Sequence, residues 1–355
     1  MKKYFKIIFE YLSIFLISFI LIDFVTSNTF LNLKNKSCSH IEKFYIELKK
    51  NCVGKEKIRA YLPTINIYTD KDGLRITKNH KRSENKKVYI YGSSFIYGAG
   101  VEYEKSVVGV LESKHKNFEF YNFSMPYGSP TFHLYKLKQK IIKNEIQKKI
   151  ILVLSLSDIL NETSIWGDYD NEKPVLINDD IFIQNQSNEK FHKRNFKLSR
   201  SLILNLRNKL RSVKNEEKEN KKKVRTTVQA GFTYMPLINL KNNYTDETFN
   251  LGKNKIKERI NQMINLSKKY KIEFYLAIFP FADTLEYGQS YFDWEKYSKE
   301  LCPRISCKFV NSFFDYKQYK NIDDSWYEKL FFVGDEHFTE LGHLILAERF
   351  TSEIF

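Results

Sequence analysis

The segment VYIYGSSFIYGAGV (88–101) runs strand-like residues straight into Gly92, Ser93 and Ser94. Two hydroxyls at the tip of a buried strand make either a plain tight turn or a nucleophile raised on a strand-to-helix corner. At such a corner the free N–H groups of the helix start can bind a developing oxyanion. A hydroxyl nucleophile needs a base within hydrogen-bond reach, and the base needs an orienting partner. Of the seven histidines, His337 is the best base, because it sits in a loop directly before a helix. Asp335 lies two residues upstream, where a local turn brings its carboxylate to the other imidazole nitrogen and holds the tautomer. Two further strand ends carry candidates: the loop after Asn122, and Ser157 with Asp158. Each piece alone reads as a turn or a surface cap. Their combination, in this order along one alternating pattern, is far more specific.

That pattern begins at Lys87. KVYIYG, FEFYNFS, KIILVLSLSD (149–158), KIEFYLAIFPF (271–281) and CKFVNSF read as strands, apolar on both faces. Helical spacing separates them: Val107, Val108 and Leu111; Phe132, Tyr135, Ile141 and Ile142; Ile256, Ile260, Met263 and Ile264. The last helix, TELGHLILAERF, is expected to turn Leu341, Leu344 and Ile345 inward. Doubly apolar strands alternating with helices predict an α/β fold, a three-layer, flavodoxin-like parallel sheet with helices on both faces. Active sites of such sheets form at the carboxyl ends of the strands, which is where all four candidates lie. Residues 162–245 break the alternation and read as an insertion. It includes a mixed-charge run, RSVKNEEKENKKKVRTT, to which no chemistry is assigned. Trp166 and Tyr169 at its start serve either core packing or sugar stacking.

At these positions the chain resembles the SGNH (GDSL-type) hydrolases. YGSSFIYGAGVEYEKSVVG is similar to their first block and DEHFTELGHLILAE to their last; these two are the specific part. YNFSMPYGSPTFHLYKLK resembles the second block and ILVLSLSDILNE the third, while LAIFPFADTL and KFVNSFFDY resemble segments of a membrane-anchored, extracytoplasmic branch. The resemblance covers about 86–355 outside the insertion. It implies Ser94 as nucleophile, His337 as base and Asp335 as its orienter. It implies an oxyanion hole from the Ser94 N–H, the second-block position (Tyr127, or Gly128 with a one-residue slip) and Ser157. Three departures stand out. Ser93 replaces the family's Asp, Tyr127 falls at its glycine, and Ser157 replaces an Asn whose amide reaches further than a hydroxyl. The resemblance implies no cofactor and no metal.

The implied function is an extracytoplasmic serine esterase or O-acyltransferase, acting on acyl esters, acetyl first, of cell-surface carbohydrate. Its partners are a cell-surface glycan or acyl donor. The alternatives are a non-catalytic module of the same fold that binds glycan or serves export, and a lysophospholipase-type lipid esterase.

The remaining features bound where this would happen. The 355 residues are 42% hydrophobic and 15% aromatic, which excludes general disorder. The +16 formal charge suits acidic partners, yet the lysines are scattered, and no basic helix or nucleic-acid motif appears, so nucleic acid is not a predicted partner. Lys2, Lys3 and Lys6 precede an apolar run from Ile7 to Val25 without a small-residue cleavage site. We read residues 1–28 as an uncleaved signal anchor in the inner membrane, with the main domain on the periplasmic or cell-surface side. Residues 29–85 read as a stalk and N-terminal extension, and 86–355 as one catalytic-type domain. Cys38, Cys52, Cys302 and Cys307 form two sequence-local couples. In an oxidising compartment they read as the disulfides Cys38–Cys52 and Cys302–Cys307, with buried free thiols as the alternative. No histidine stands at metal-ligand spacing from either couple.

Overall fold

The computed structural model describes residues 2–29, 38–41, 46–58, 62–80, 83, 85–142, 148–170, 173–176, 246–289 and 292–355. Most of the insertion therefore lies outside the described residues, as do the side chains of 167–170 and 173–176, Tyr169 included. The N-terminal run forms a helix, α1 (Lys2–Thr29). The spanning anchor expected there is not found. Among the described residues no helix is long and apolar enough to cross a membrane, several α1 side chains lying outside that set.

The extension region carries five short strands: β1 (Ser39–Ile41), β2 (Ile46–Leu48), β3 (Val53–Glu56), β4 (Ile65–Thr69) and β5 (Arg75–Ile76). β1 and β2 pair antiparallel, and β3–β4–β5 form a second antiparallel sheet. β4 alternates buried and half-buried positions, the period-2 pattern of a strand with one covered face. Cys38 is bonded to Cys52 beside this sheet.

The alternating part follows. In chain order it runs β6 (Lys86–Tyr91), α2 (Ser94–Tyr97), a 3-10 turn (Tyr103–Lys105), α3 (Val107–Lys114), β7 (Phe118–Asn122), α4 (Pro130–Ile142), β8 (Lys149–Leu154) and α5 (Asp158–Ser164). A hairpin, β9 (Trp166–Asp170) and β10 (Lys173–Leu176), comes next. Then come α6 (Asp246–Lys269), β11 (Glu273–Ile278), α7 (Ala282–Tyr287), α8 (Trp294–Glu300), β12 (Lys308–Asn311), α9 (Phe313–Ile322), α10 (Trp326–Leu330) and α11 (Glu340–Ile354). Cys302 is bonded to Cys307 just before β12.

The five long strands form one fully parallel sheet in the order β12-β11-β8-β6-β7. Counted along the chain this is 2-1-3-4-5, the flavodoxin-like order. Its direction of winding reverses between β6 and β8, and ligands bind at such a switch point. Right-handed crossovers run one way from β6 to β7 and the other way from β7 through β12. They therefore put α3 on one face and α4, α6 and α8 on the other. The packing agrees: α4 and α5 lie on α6, and α11 lies on α3.

The strand interiors Val88–Tyr91, Ile150–Leu154 and Phe274–Ile278 are buried throughout, as strands covered on both sides must be. α6 buries Ile256, Ile260, Met263 and Ile264, with acidic residues in its first turn and Lys268 and Lys269 in its last, matching the helix dipole. α11 departs from expectation at Leu344, which is exposed, while Leu341 and Ile345 pack partly buried against the core. Its fully buried stripe is His343, Leu346, Ala347, Phe350 and Ile354, at i, i+3, i+4, i+7 spacing. The expected start of the insertion also shifts, because α5 continues to Ser164 and Glu162 is fully buried.

Candidate active site

β6 ends at Tyr91, and the chain turns through Gly92 and Ser93 into α2, whose first residue is Ser94. A Cβ at Gly92 would lie 2.7 Å from Ile96 Cγ1 and 2.9 Å from Ile96 Cβ. Only glycine lets strand and helix meet this closely. The loop after β7 braces the turn: Met125 N–H donates to Gly92 O at 3.1 Å, and Asn122 Nδ2 donates to Ile96 O at 3.2 Å. The two serines then part. Ser93 is buried, its Oγ without a hydrogen-bond partner among the described residues. Ser94 is half-buried and faces the last loop.

That loop joins α10 to α11. Phe332 N–H donates to His337 O at 2.9 Å, and Asp335 N–H donates to Phe332 O at 2.9 Å. His337 Nε2 lies 2.7 Å from Ser94 Oγ, across 243 residues of sequence. On the opposite side, Nδ1 is hydrogen-bonded to Asp335 Oδ1, which also accepts from the His337 N–H at 2.9 Å. A carboxylate facing Nδ1 places the ring proton there and leaves the Nε2 lone pair for the serine hydroxyl. The imidazole stacks on the Phe95 ring at 4.8 Å, and both Asp335 and His337 are buried. Ser94, His337 and Asp335 thus meet as a hydroxyl, a base and an orienting carboxylate.

The implied oxyanion donors are distributed less evenly. Ser94 opens a helix, so its N–H has no intrahelical acceptor. Of the second-block pair, Gly128 N–H already donates to Met125 O at 2.9 Å. Tyr127 is held at φ 61°, in the left-handed region where a bulky residue is uncommon. Its carbonyl accepts from Trp166 Nε1 at 2.9 Å. Trp166 is buried and stacks on Phe132 at 5.5 Å, which gives it to the core rather than to sugar stacking. Ser157 Oγ shares a 2.8 Å hydrogen bond with Ser155 Oγ. Beside it, Asp158 Oδ2 accepts from the Ser155 N–H at 2.8 Å. Burial pushes Asp158 up to about 8. Burial also holds His133 and His343 down at about 3; the positive charge of Arg75 adds to the effect at His343.

Sequence reasoning missed two supports. Phe95, on the same one-turn helix as Ser94, carries the imidazole; its place directly after the serines was the available signal. Arg75, at the end of the DKDGLRI turn, reaches the back of that helix. Its one trace in the sequence is an arginine where this chain elsewhere prefers lysine.

No family model and no curated protein sequence matches this chain. Solved structures do. A protein of the lipolytic G-D-S-L family from Veillonella parvula is 11% identical, the match covering 76% of this chain and 98% of that one, with a TM-score of 0.41. A lipase from a goat rumen metagenome is 10% identical over 76% of this chain and 98% of that one, with a TM-score of 0.45. A psychrotrophic esterase from Pseudoalteromonas sp., solved with monoethylphosphonate as inhibitor, is 10% identical over 76% and 97%, with a TM-score of 0.37. Likeness at this level carries no functional argument; the contact between Ser94, His337 and Asp335 does.

Proposed function

We propose that this protein is a serine ester hydrolase of the SGNH type, working through an acyl-Ser94 intermediate. The observation that carries the reading is the 2.7 Å contact between His337 Nε2 and Ser94 Oγ, with Asp335 on the far side of the ring. Ser94 Oγ attacks the ester carbonyl carbon while its proton passes to His337 Nε2. The carbonyl oxygen becomes an oxyanion beside the Ser94 N–H. As the tetrahedral species collapses, the C–O bond breaks and the leaving alkoxide takes the proton from the imidazolium, departing as the alcohol. Water then adds to the acyl-serine, losing a proton to His337. Collapse frees the acid and returns the proton to Ser94. Asp335 stabilises the charged ring in both halves. A positioned base contributes about 10²–10⁴ in rate, and each oxyanion donor about 10²–10³. The weakened donors at Gly128 and Ser157 therefore fit a slow enzyme.

The finer reading is an extracytoplasmic enzyme acting on acyl groups, acetyl foremost, of cell-surface carbohydrate. A sugar hydroxyl in place of water would make the same steps a transfer. Two disulfides among four cysteines support an oxidising compartment. The +16 charge supports an acidic glycan. Exposed Phe9, Leu12, Phe15, Phe19 and Leu21 on α1 support attachment at a membrane. A non-catalytic glycan-binding module is the second reading, favoured by the Gly128 N–H and Ser157 Oγ being engaged elsewhere. The deciding experiment treats the wild type and Ser94→Ala with an acetyl ester and a serine-directed fluorophosphonate. Labelling and turnover in the wild type alone support the hydrolase; equal silence in both leaves the binding module.

A further inference from the structure

The nucleophile sits on a helix of four residues. One turn of helix fixes several dihedrals for a single backbone hydrogen bond, so it does not hold its own shape. Something else must fix the direction in which Ser94 points. The sheet holds its N-terminal side through Gly92. Its C-terminal side is held from outside the α/β layers, by the extension.

Arg75, in β5, is almost fully buried. Its Nη1 donates to Tyr97 O at 2.7 Å and to Gly98 O at 2.9 Å, and its Nη2 donates to Val101 O at 2.6 Å. These carbonyls end α2 and shape the turn that follows. A planar guanidinium with forked donors can satisfy three of them at once, and a cation suits a helix C-terminus. The backbone is cut to fit. Gly98 adopts φ 84°, and a Cβ there would lie 2.9 Å from Arg75 Nη1. The guanidinium also lies over the Tyr97 and Tyr103 rings, at 5.2 and 5.9 Å.

Two neighbours join it. The Tyr97 hydroxyl donates to Glu56 Oε2 at 2.9 Å, and Glu56 in turn accepts from Ser39 through Oε1. Asn66 N–H and Nδ2 donate to Glu102 at 3.1 and 2.9 Å. Tyr97 itself belongs to the extension's small core with Cys38, Leu48, Ile65 and Ile67. Apart from the Glu56–Ser39 bonds, these contacts fall on residues 97–103, the end of the serine's helix and the turn after it.

Resting on the hydrolase reading above, we infer that the extension is a clamp on the nucleophile turn, with Arg75 the positioning residue that aims Ser94 at His337. Arg75 touches neither substrate nor reacting atoms; it acts by holding α2.

The test uses the full chain, with Arg75→Met, Arg75→Lys and Tyr97→Phe. Each is assayed for kcat and KM on p-nitrophenyl acetate and for deuterium uptake in peptides covering 92–102 and 332–339. The expected result for Arg75→Met is a kcat lower by about 10²-fold, the scale of a misplacement near 1 Å. KM stays within about twofold, and uptake rises in 92–102 but not in 332–339. Arg75→Lys, which keeps a charge and donors, recovers at least about a tenth of the wild-type kcat. The inference is overturned if folded Arg75→Met keeps wild-type kcat and uptake, or if uptake rises equally in both peptides. Should Arg75→Met fail to fold, Tyr97→Phe decides: lower kcat with looser 92–102 supports the clamp, and wild-type values overturn it. If the wild type itself shows no Ser94-dependent turnover, the hydrolase reading has failed, and the uptake data alone decide the clamp.

Discussion

The loop that carries His337 and the turn that carries Ser94 are built on opposite plans. The 332–339 loop is largely self-sufficient: its backbone bonds to itself, and Asp335 Oδ1 caps both the His337 N–H and the ring. The Ser94 turn is a single helical turn propped by residues far away in sequence, Asn122 on one side and Arg75 on the other. The difference teaches where damage should show. The base is lost by local substitution, whereas the nucleophile can also be mis-aimed from a distance.

Removing the shared contact breaks both regions at once. Ser94→Ala is expected to lower kcat by about 10⁴- to 10⁶-fold and to abolish fluorophosphonate labelling, without lowering the melting temperature. Residual turnover near wild type would mean that the hydroxyl is a bystander. Asp335→Asn attacks the base loop alone. It presents the wrong hydrogen-bonding group to Nδ1, and kcat should fall by about 10⁴-fold while labelling becomes slow rather than absent. Steady-state and labelling rates measured on one preparation separate these two outcomes.

The disulfides sharpen the comparison. Cys38–Cys52 spans 14 residues of separation beside the nucleophile's props, and Cys302–Cys307 spans 5 ahead of β12, at the strand end away from the site. Loop entropy gives losses of about 3 and about 2 kcal/mol when each pair is changed to alanine. Denaturant titration reads both. Only the Cys38–Cys52 pair should also lower kcat in the folded protein; an equal effect from the other pair would dissolve the distinction.

An effect confined to acid pH comes from His343, fully buried on α11. Burial, with the nearby Arg75 cation, holds its pKa at about 3 instead of the ordinary 6.5. Between those values the unfolded chain takes up a proton that the folded chain refuses. Stability therefore falls as pH drops from 6.5 toward 3, by about 1.4 kcal/mol per unit from this residue. His343→Gln should flatten the pH–stability curve by that amount over that window. Asp158, raised to about 8, works in the opposite sense: its share of stability fades as pH climbs from the unfolded value near 4 toward 8.

Much of the sheet and the Asp335–His337 pair were legible in the sequence, because their signals are local. β6, β8 and β11 are unbroken apolar runs, and Asp335 and His337 are two residues apart in a loop before a helix. The choice between Ser93 and Ser94 was not legible from residue types, since the turn alone decides which hydroxyl faces out. The extension was opaque for a different reason. Its strands have two to five residues, too short for periodicity to register, and Arg75 looks like any surface cation until its burial is known. On α11 Leu344 was misjudged, because the run of adjacent aliphatic residues 344–346 masks which of them packs.

Gly98 and Arg75 share a tight volume: a methyl group on the first would lie 2.9 Å from the second's Nη1 and 2.8 Å from Ser106 Cβ. A descendant chain that gains a side chain at 98 must shift both the guanidinium 23 residues earlier and Ser106, and so must find another way to seat its helix. Covariation of these two sites across lineages would be the evolutionary record of that constraint.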